Sequence, residues 1–437
     1  MAEALRELGI SAVYRRLARN SAYLAGGTVA SSVFMMFAVV LAARALSPRE
    51  FGLLVLFQSA TMLVGGLMSC STQQPVIKLG SSAQAEGDMA RLGRIIRLGL
   101  LIDTIAASVA MLAAFAFLTF GRHWVDFPDD QVGIAALFAA SLLFTGYLTS
   151  NGVFRLLNRF GLLSLIQAGC AAALLATSIF LYATGAAFEA YCWAWAIYLV
   201  VSAQFPLLVA LHLARQAGIP ILRRTGKMHR DEISTFLSYC WTTWGTATAE
   251  GLRSYGDSLL VGAAVSVEAA GIYNVAKQLA GVLRKMNTVY ASAAFPEIST
   301  LSAHGHDASA ARVRRRMLLI GGLIGVIAIA ATALAGRFVL AVLFGQNFEA
   351  AYVPLVILTA AAALQLISHT LSMYVQVYVG PVRLFHIYML AIAIFLVLVV
   401  PLTLGFATTG TALSQLLFSF VLIYFCHLSL RKIPHAA

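Results

Sequence analysis

Six charged side chains sit where the surrounding sequence is apolar: Glu250, Arg253 and Asp257 in one hydrophobic stretch, Lys277, Arg284 and Lys285 in the next. Charge at membrane depth costs several kcal/mol and is kept where it lines a polar cavity or pairs with another charge. Glu250, Arg253 and Asp257 are spaced i, i+3, i+7, and Lys277 and Arg284 are seven apart, so an α-helix lays each set along one face. With a turn centred near Ser266, Asp257 and Lys277 lie at matched depths, as do Glu250 and Arg284. Four cations against two carboxylates leave a net positive excess, which suits a pyrophosphate or another anionic head group. The same residues also admit a structural reading. Lysine and arginine near helix ends snorkel to the interface, and Arg253 with Asp257 makes an i, i+4 ion pair. Snorkelling accounts for Lys277 but serves poorly for Arg284 and Lys285, near mid-span.

The elements that position these charges follow from composition. Of 437 residues, 60% are hydrophobic and 11% charged, outside the range of soluble domains and diagnostic of an all-α polytopic membrane protein. Spans need roughly 20 mostly apolar residues. Twelve candidates fit, at about 20–44, 51–73, 98–120, 132–154, 161–184 and 188–213, then 234–264, 269–297, 317–341, 351–377, 385–407 and 410–430. Twenty-two of the 30 basic residues fall on one side of this arrangement and four on the other, which places both termini in the cytoplasm. The remaining four are Arg253, Lys277, Arg284 and Lys285, all inside spans 7 and 8. Topology therefore explains the formal charge of +12, and a nucleic-acid partner loses its support.

Four regions result: a cytoplasmic amphipathic segment 1–19, an N-lobe 20–213, a basic cytoplasmic linker 214–231 and a C-lobe 232–437. The halves share local likeness. Ser47 and Ser266, and Gly52 and Gly271, are each 219 positions apart, and Pro75 and Pro296 are 221 apart. A duplicated six-helix unit suits a transporter that rocks one lobe against the other around a central site.

Other groups carry weaker signals. Asp103, a few residues inside span 3, reads as an interfacial or capping residue. His369 and His386 read as packing histidines before proton shuttles. Gln58, Gln73 and Gln74 suit interhelical hydrogen bonds or sugar hydroxyls, and Tyr191, Trp193, Trp195 and Tyr198 an interfacial aromatic belt. The acidic pair Asp129 and Asp130 reads as solvated loop. The five scattered cysteines read as packing residues without metal or redox chemistry. There is no GxxxxGK[ST], HExxH or GxSxG, so the residues point to transport without a catalytic site, a metal or a bound cofactor. With no nucleotide site, the drive would come from an ion gradient, the membrane potential or downstream consumption of product.

Several segments carry a resemblance. ARALSPREFGLLVLFQ after span 1, RSYGDSLLVGAAVSVEAAGIYNVAKQLAG with Asp257, Gly271 and Tyr273, and the turn from Phe344 to Phe348 resemble bacterial polysaccharide repeat-unit flippases. These form the polysaccharide transporter branch of the multidrug/oligosaccharidyl-lipid/polysaccharide exporter superfamily. The resemblance implies twelve transmembrane helices in two six-helix lobes related by a pseudo-two-fold axis, in a V-shaped alternating-access arrangement. It implies an undecaprenyl-pyrophosphate-linked oligosaccharide substrate, moved across the bacterial inner membrane for O-antigen, capsule or exopolysaccharide synthesis, with polymerase and glycosyltransferases as neighbours. On this chain the pyrophosphate would lie near Arg253, Arg284 and Lys285, with Lys277 nearer the outer mouth. Glu250 and Asp257 would tune these cations or carry a coupled H+, with Na+ as the other coupling ion. The first half, however, has no obvious mid-span Arg or Lys. A multidrug or peptidoglycan-precursor exporter of the same superfamily is the nearest rival, and a membrane glycosyltransferase or polysaccharide ligase the rival of another class.

Overall fold

The computed structural model describes residues 26–121, 129–221, 226, 228–303 and 307–431, with the side chains of 121, 129, 242, 243, 246, 286–297, 299–303 and 307–310 outside that description. The expected amphipathic segment 1–19 and the linker cations Arg223, Arg224 and Lys227 lie outside the described residues. Every described regular element is helical. The helices are α1 (Gly26–Ala45), α2 (Pro48–Met68), α3 (Gln73–Ala85), α4 (Met89–Ala116), α5 (Val132–Ser141), α6 (Leu148–Leu156) and α7 (Phe160–Thr184). They continue with α8 (Phe188–Gln216), α9 (Arg230–Gly251), α10 (Asp257–Ala264), α11 (Val267–Ala303), α12 (Asp307–Phe344), α13 (Tyr352–Tyr378) and α14 (Pro381–Arg431).

Nine stretches of the described residues are long and apolar enough to cross a membrane. The last, the 51 residues of α14, holds two helices joined at Ala407, whose φ of 51° and ψ of −135° are not helical. Helices α9–α10 and α11 lie outside that set, although both have crossing length. Splitting α14 and adding these two recovers the twelve spans. Several helices outrun their apolar cores. Helix α4 starts at Met89 because Asp88 accepts a hydrogen bond from Arg91 N at 2.7 Å and so caps it.

Span 2 is broken. Helix α2 stops at Met68, Ser71 takes a positive φ of 46°, and α3 restarts at Gln73. Span 4 is broken as well: a short 3-10 turn, Leu142–Phe144, and Gly146 at φ 85° separate α5 from α6. Breaks of this kind free backbone groups that a dry bilayer cannot satisfy, so they are tolerated only inside protein or beside a wet cavity.

The chain folds as two compact units, each discontinuous in sequence. One comprises Phe37–Ala45 and Leu54–Leu259. Its core gathers Val76, Leu92, Ile96, Phe154, Ile166 and Phe236. The start of the linker packs into this core through buried Ile219 and Ile221. Arg97 on α4 holds it there, donating from Nε to the Ile221 carbonyl at 3.0 Å and from Nη2 to that of Pro220 at 3.3 Å. The foot of α9 is tied to α4 by an ion pair from Arg91 Nε to Glu232 Oε1 at 2.5 Å. Arg91 Nη1 also reaches Glu86 at 2.7 Å.

The other unit comprises Leu46–Leu53 and Leu260–Ala437, with the chain up to Met36. Helix α13 is its centre, packed by α11, α12 and α14. The three segments that carried the family resemblance meet here. Ser47 and Glu50 form a capping box at the start of α2: the Ser47 hydroxyl donates to Glu50 at 2.7 Å, and Glu50 N donates back to that hydroxyl at 3.3 Å. Ser266 plays the same part for α11, accepting from Ala269 N at 3.1 Å. The two glycines of the repeated motif then touch. A Cβ on Gly271 would lie 3.1 Å from Gly52 N, and one on Gly52 only 2.1 Å from the Val267 carbonyl oxygen. Phe51 sets its ring edge-on to Phe348 at 5.6 Å, which brings in the turn that follows Phe344.

Candidate functional site: intramembrane charges

The six charges divide between the two units. Glu250, Arg253 and Asp257 belong to one, and Lys277, Arg284 and Lys285 to the other. In the first unit the helix changes pitch between α9 and α10. Residues Leu252–Gly256 form a π turn, which inserts an extra residue into the helical repeat between Glu250 and Asp257. Arg253 is 6% exposed and meets Glu250 with one edge of its guanidinium, at 3.0 Å from Nε and 2.5 Å from Nη2. Ser254 Oγ donates to the same carboxylate at 2.8 Å. Asp257, 2% exposed, accepts from Ser258 N at 2.7 Å. The i, i+3 partner Glu250 therefore engages Arg253 in a bidentate pair.

In the second unit, Lys277 is half-buried with its ammonium 5.9 Å from the centroid of the Tyr273 ring, one turn back along α11. Arg284 and Lys285 are adjacent and also half-buried. Leu283, between the charged faces, packs instead into an apolar cluster with Ala362, Ala363 and Leu366 of α13. Helix α11 thus turns Leu283 to α13.

Asp103 departs from expectation. It is 2% exposed and lies between the two broken spans, where it serves the first turn of α6 and not an end of its own helix. Thr72 Oγ1 donates to Oδ1 at 2.7 Å, and Thr149 N, the second residue of α6, donates to Oδ2 at 2.9 Å. The two threonine hydroxyls meet at 3.1 Å. Gly99, one turn before Asp103, lets α4 and α6 approach: a Cβ there would fall 2.5 Å from Thr149 Oγ1. The sequence holds the signal, a lone carboxylate inside span 3, but only the meeting of two helix breaks gives it meaning.

The aromatic cluster of span 6 also divides. Trp193 is 55% exposed, as a lipid-facing belt residue should be, whereas Tyr191 and Trp195 are buried. His369 and His386 are exposed, and His386 sets its ring edge-on to Phe385. All five cysteines are free thiols.

Comparison with known proteins gives this architecture a place. Residues 17–302 match the family model described as polysaccharide biosynthesis protein, and the chain belongs to that family. Among curated relatives, Inner membrane protein YghQ of Escherichia coli (strain K12) is 24% identical over 352 residues, covering 78% of this chain and 95% of that protein. Probable flippase AglR of Haloferax volcanii is 26% identical over 184 residues, 41% of this chain and 38% of its own. Among solved structures, an inward-facing multidrug resistance MATE family transporter of the MOP superfamily superposes with a TM-score of 0.74 at 13% identity. The match covers 91% of this chain and 94% of the transporter. At that identity the likeness establishes the fold alone, which this chain shares with that transporter. The chain is a multi-pass membrane protein with this transporter fold.

Proposed function

We propose that the protein is a flippase for lipid-linked oligosaccharides. It would carry undecaprenyl-pyrophosphate-linked repeat units from the cytoplasmic to the periplasmic leaflet of the bacterial inner membrane, with both termini cytoplasmic. Membership of a polysaccharide biosynthesis family, a transporter fold and partial likeness to a probable flippase all support this reading. The observation that carries it is the placement of Arg253, Lys277, Arg284 and Lys285 inside spans 7 and 8, against the positive-inside pattern of the other basic residues. A diphosphate is the part of such a substrate that most needs neutralising before it leaves water, and guanidinium groups match its geometry. In this reading Arg253, Arg284 and Lys285 are cations that neutralise the pyrophosphate, Lys277 serves nearer the outer mouth, and Glu250 and Asp257 tune these cations or carry a coupled proton. The lobes 20–213 and 232–437 describe the repeat in chain order. Transport is of a secondary type, drawing on H+ or Na+ or on consumption of the product by a polymerase.

The solved neighbour favours one rival, a multidrug exporter. A carrier of cationic drugs would place carboxylates where this chain places cations. Reconstituted vesicles decide between them. The flippase reading expects protein-dependent translocation of a fluorescent undecaprenyl-pyrophosphate oligosaccharide and no efflux of cationic dyes. Dye efflux without lipid translocation would refute it.

A further inference from the structure

Asp103 is a buried ionisable group that the proposed grip on a pyrophosphate does not use. A carboxylate offers about four acceptor positions, and Thr72 Oγ1 and Thr149 N fill two of them. No Lys, Arg or His lies within ion-pair distance among the described residues. The titratable side chains that face it, Cys70 and Cys240, are thiols and supply no positive charge. A buried carboxylate left without a counter-charge costs several kcal/mol, so something must neutralise it.

The space for that charge lies beside it. A cavity of about 10 Å³ is bounded by Asp103, Ser69, Thr145, Gly146, Gly65 and Leu142. That is near the lower limit for one water, and a bare sodium ion is smaller than a water. The cavity sits where both helix breaks, Ser69–Thr72 and Leu142–Gly146, come against α4. Unwound backbone at such breaks supplies the oxygen ligands that hard monovalent cations take. Ser69 Oγ is buried at the cavity wall and has no hydrogen-bond partner among the described residues. A buried hydroxyl left unsatisfied is costly, and a cation in the cavity would accept its lone pair. The ligands are oxygens only, with one carboxylate. No group of three His, Cys, Asp or Glu side chains able to hold a metal occurs among the described residues, so the chemistry is that of a single charge rather than of calcium or zinc.

We infer that Asp103, with Ser69 Oγ and the backbone of the two broken helices, forms a sodium-ion site. Its use as the coupling site rests on the transport reading above; the binding itself does not. Filling the site ties the breaks of spans 2 and 4 to α4, and emptying it releases them, so occupancy sets how the two broken spans pack.

The test is sodium binding by the purified full chain in nanodiscs, read by radioactive sodium and by thermal unfolding in sodium, potassium or choline chloride at constant ionic strength. Wild type is expected to bind sodium and to melt higher in sodium than in choline, and Asp103→Asn to lose both responses. Ser69→Ala breaks no existing bond and so keeps the test open where Asp103→Asn fails to fold. It is expected to weaken sodium binding about tenfold, the value of one lost polar ligand. No sodium response in wild type, an Asp103→Asn protein that still responds, or an unchanged affinity in Ser69→Ala each overturns the site. Stabilisation by acid in place of sodium also overturns it, in favour of protonation. Sodium binding without lipid translocation would sink the flippase and leave this site standing, and the reverse result would do the opposite.

Discussion

Gly52→Ala is the sharpest structural test. The added methyl would sit 2.1 Å from the Val267 carbonyl oxygen and 2.8 Å from its carbon. Non-bonded carbons make contact at roughly 3.5–4.0 Å, and the obstacle is backbone, which cannot swing aside as a side chain does. The first turn of α2 and the first turn of α11 must therefore separate by about 1 Å, on the scale of the contact distances above. The Phe51 to Phe348 contact and the Gly52 to Gly271 approach move with them. Overpacking typically costs about 1–3 kcal/mol, and a backbone obstacle puts this site at the upper end. Gly66→Ala is the control: it lies in the same helix, its Cβ meets nothing within 4 Å, and helix propensity favours alanine by up to about 1 kcal/mol. Thermal unfolding in detergent should rank Gly66→Ala at or above wild type and Gly52→Ala well below. Equal melting temperatures for the two variants would refute the close approach.

Other consequences follow from the remaining contacts. Thr72→Val removes the 2.7 Å hydroxyl bond to Asp103 and should cost about 1.5–3 kcal/mol. Thr149→Val should cost less, because its bond to the carboxylate comes from the backbone; unfolding midpoints of the two variants give the comparison. Arg97→Ala frees the carbonyls of Pro220 and Ile221, and amide hydrogen exchange should rise at Ile219 and Ile221 and not in α7. Glu86, between α3 and α4, is held below the usual carboxylate range by the Ser82 hydroxyl first and by Arg91 second. A depressed folded value means that its contribution is present above the unfolded value and fades as pH falls through the folded one. Glu86→Gln should therefore lower the melting temperature at neutral pH, and the difference from wild type should shrink as pH falls below the free carboxylate value.

Much of the architecture was legible in the sequence because hydropathy reports directly on bilayer length. The division near residue 407 is an example: the apolar run is nearly continuous there, yet the expected boundary coincides with the non-helical Ala407. The repeat was legible too, since Ser47 and Ser266 are matched as caps and Gly52 and Gly271 are matched as contacts. Hydropathy could not show the breaks in spans 2 and 4, because Ser69–Thr72 and Thr145–Tyr147 are short enough to pass as ordinary span residues. Asp103 was misplaced for that reason. A carboxylate a few residues inside a span looks interfacial until the helix is seen to continue outward to Met89. At Arg253, spacing offered Asp257 as partner, and the structure adds Glu250, one turn earlier, in a bidentate position.

In the proposed function Arg253, Lys277, Arg284 and Lys285 carry a lipid-linked diphosphate through the membrane. Translocation of a fluorescent undecaprenyl-pyrophosphate oligosaccharide in reconstituted vesicles tests it most directly, comparing wild type with single alanine variants at Arg253, Lys277, Arg284 and Lys285. Arg284→Ala is expected to abolish translocation while folded protein remains in the membrane at wild-type amounts. Wild-type translocation by all four variants would contradict the account.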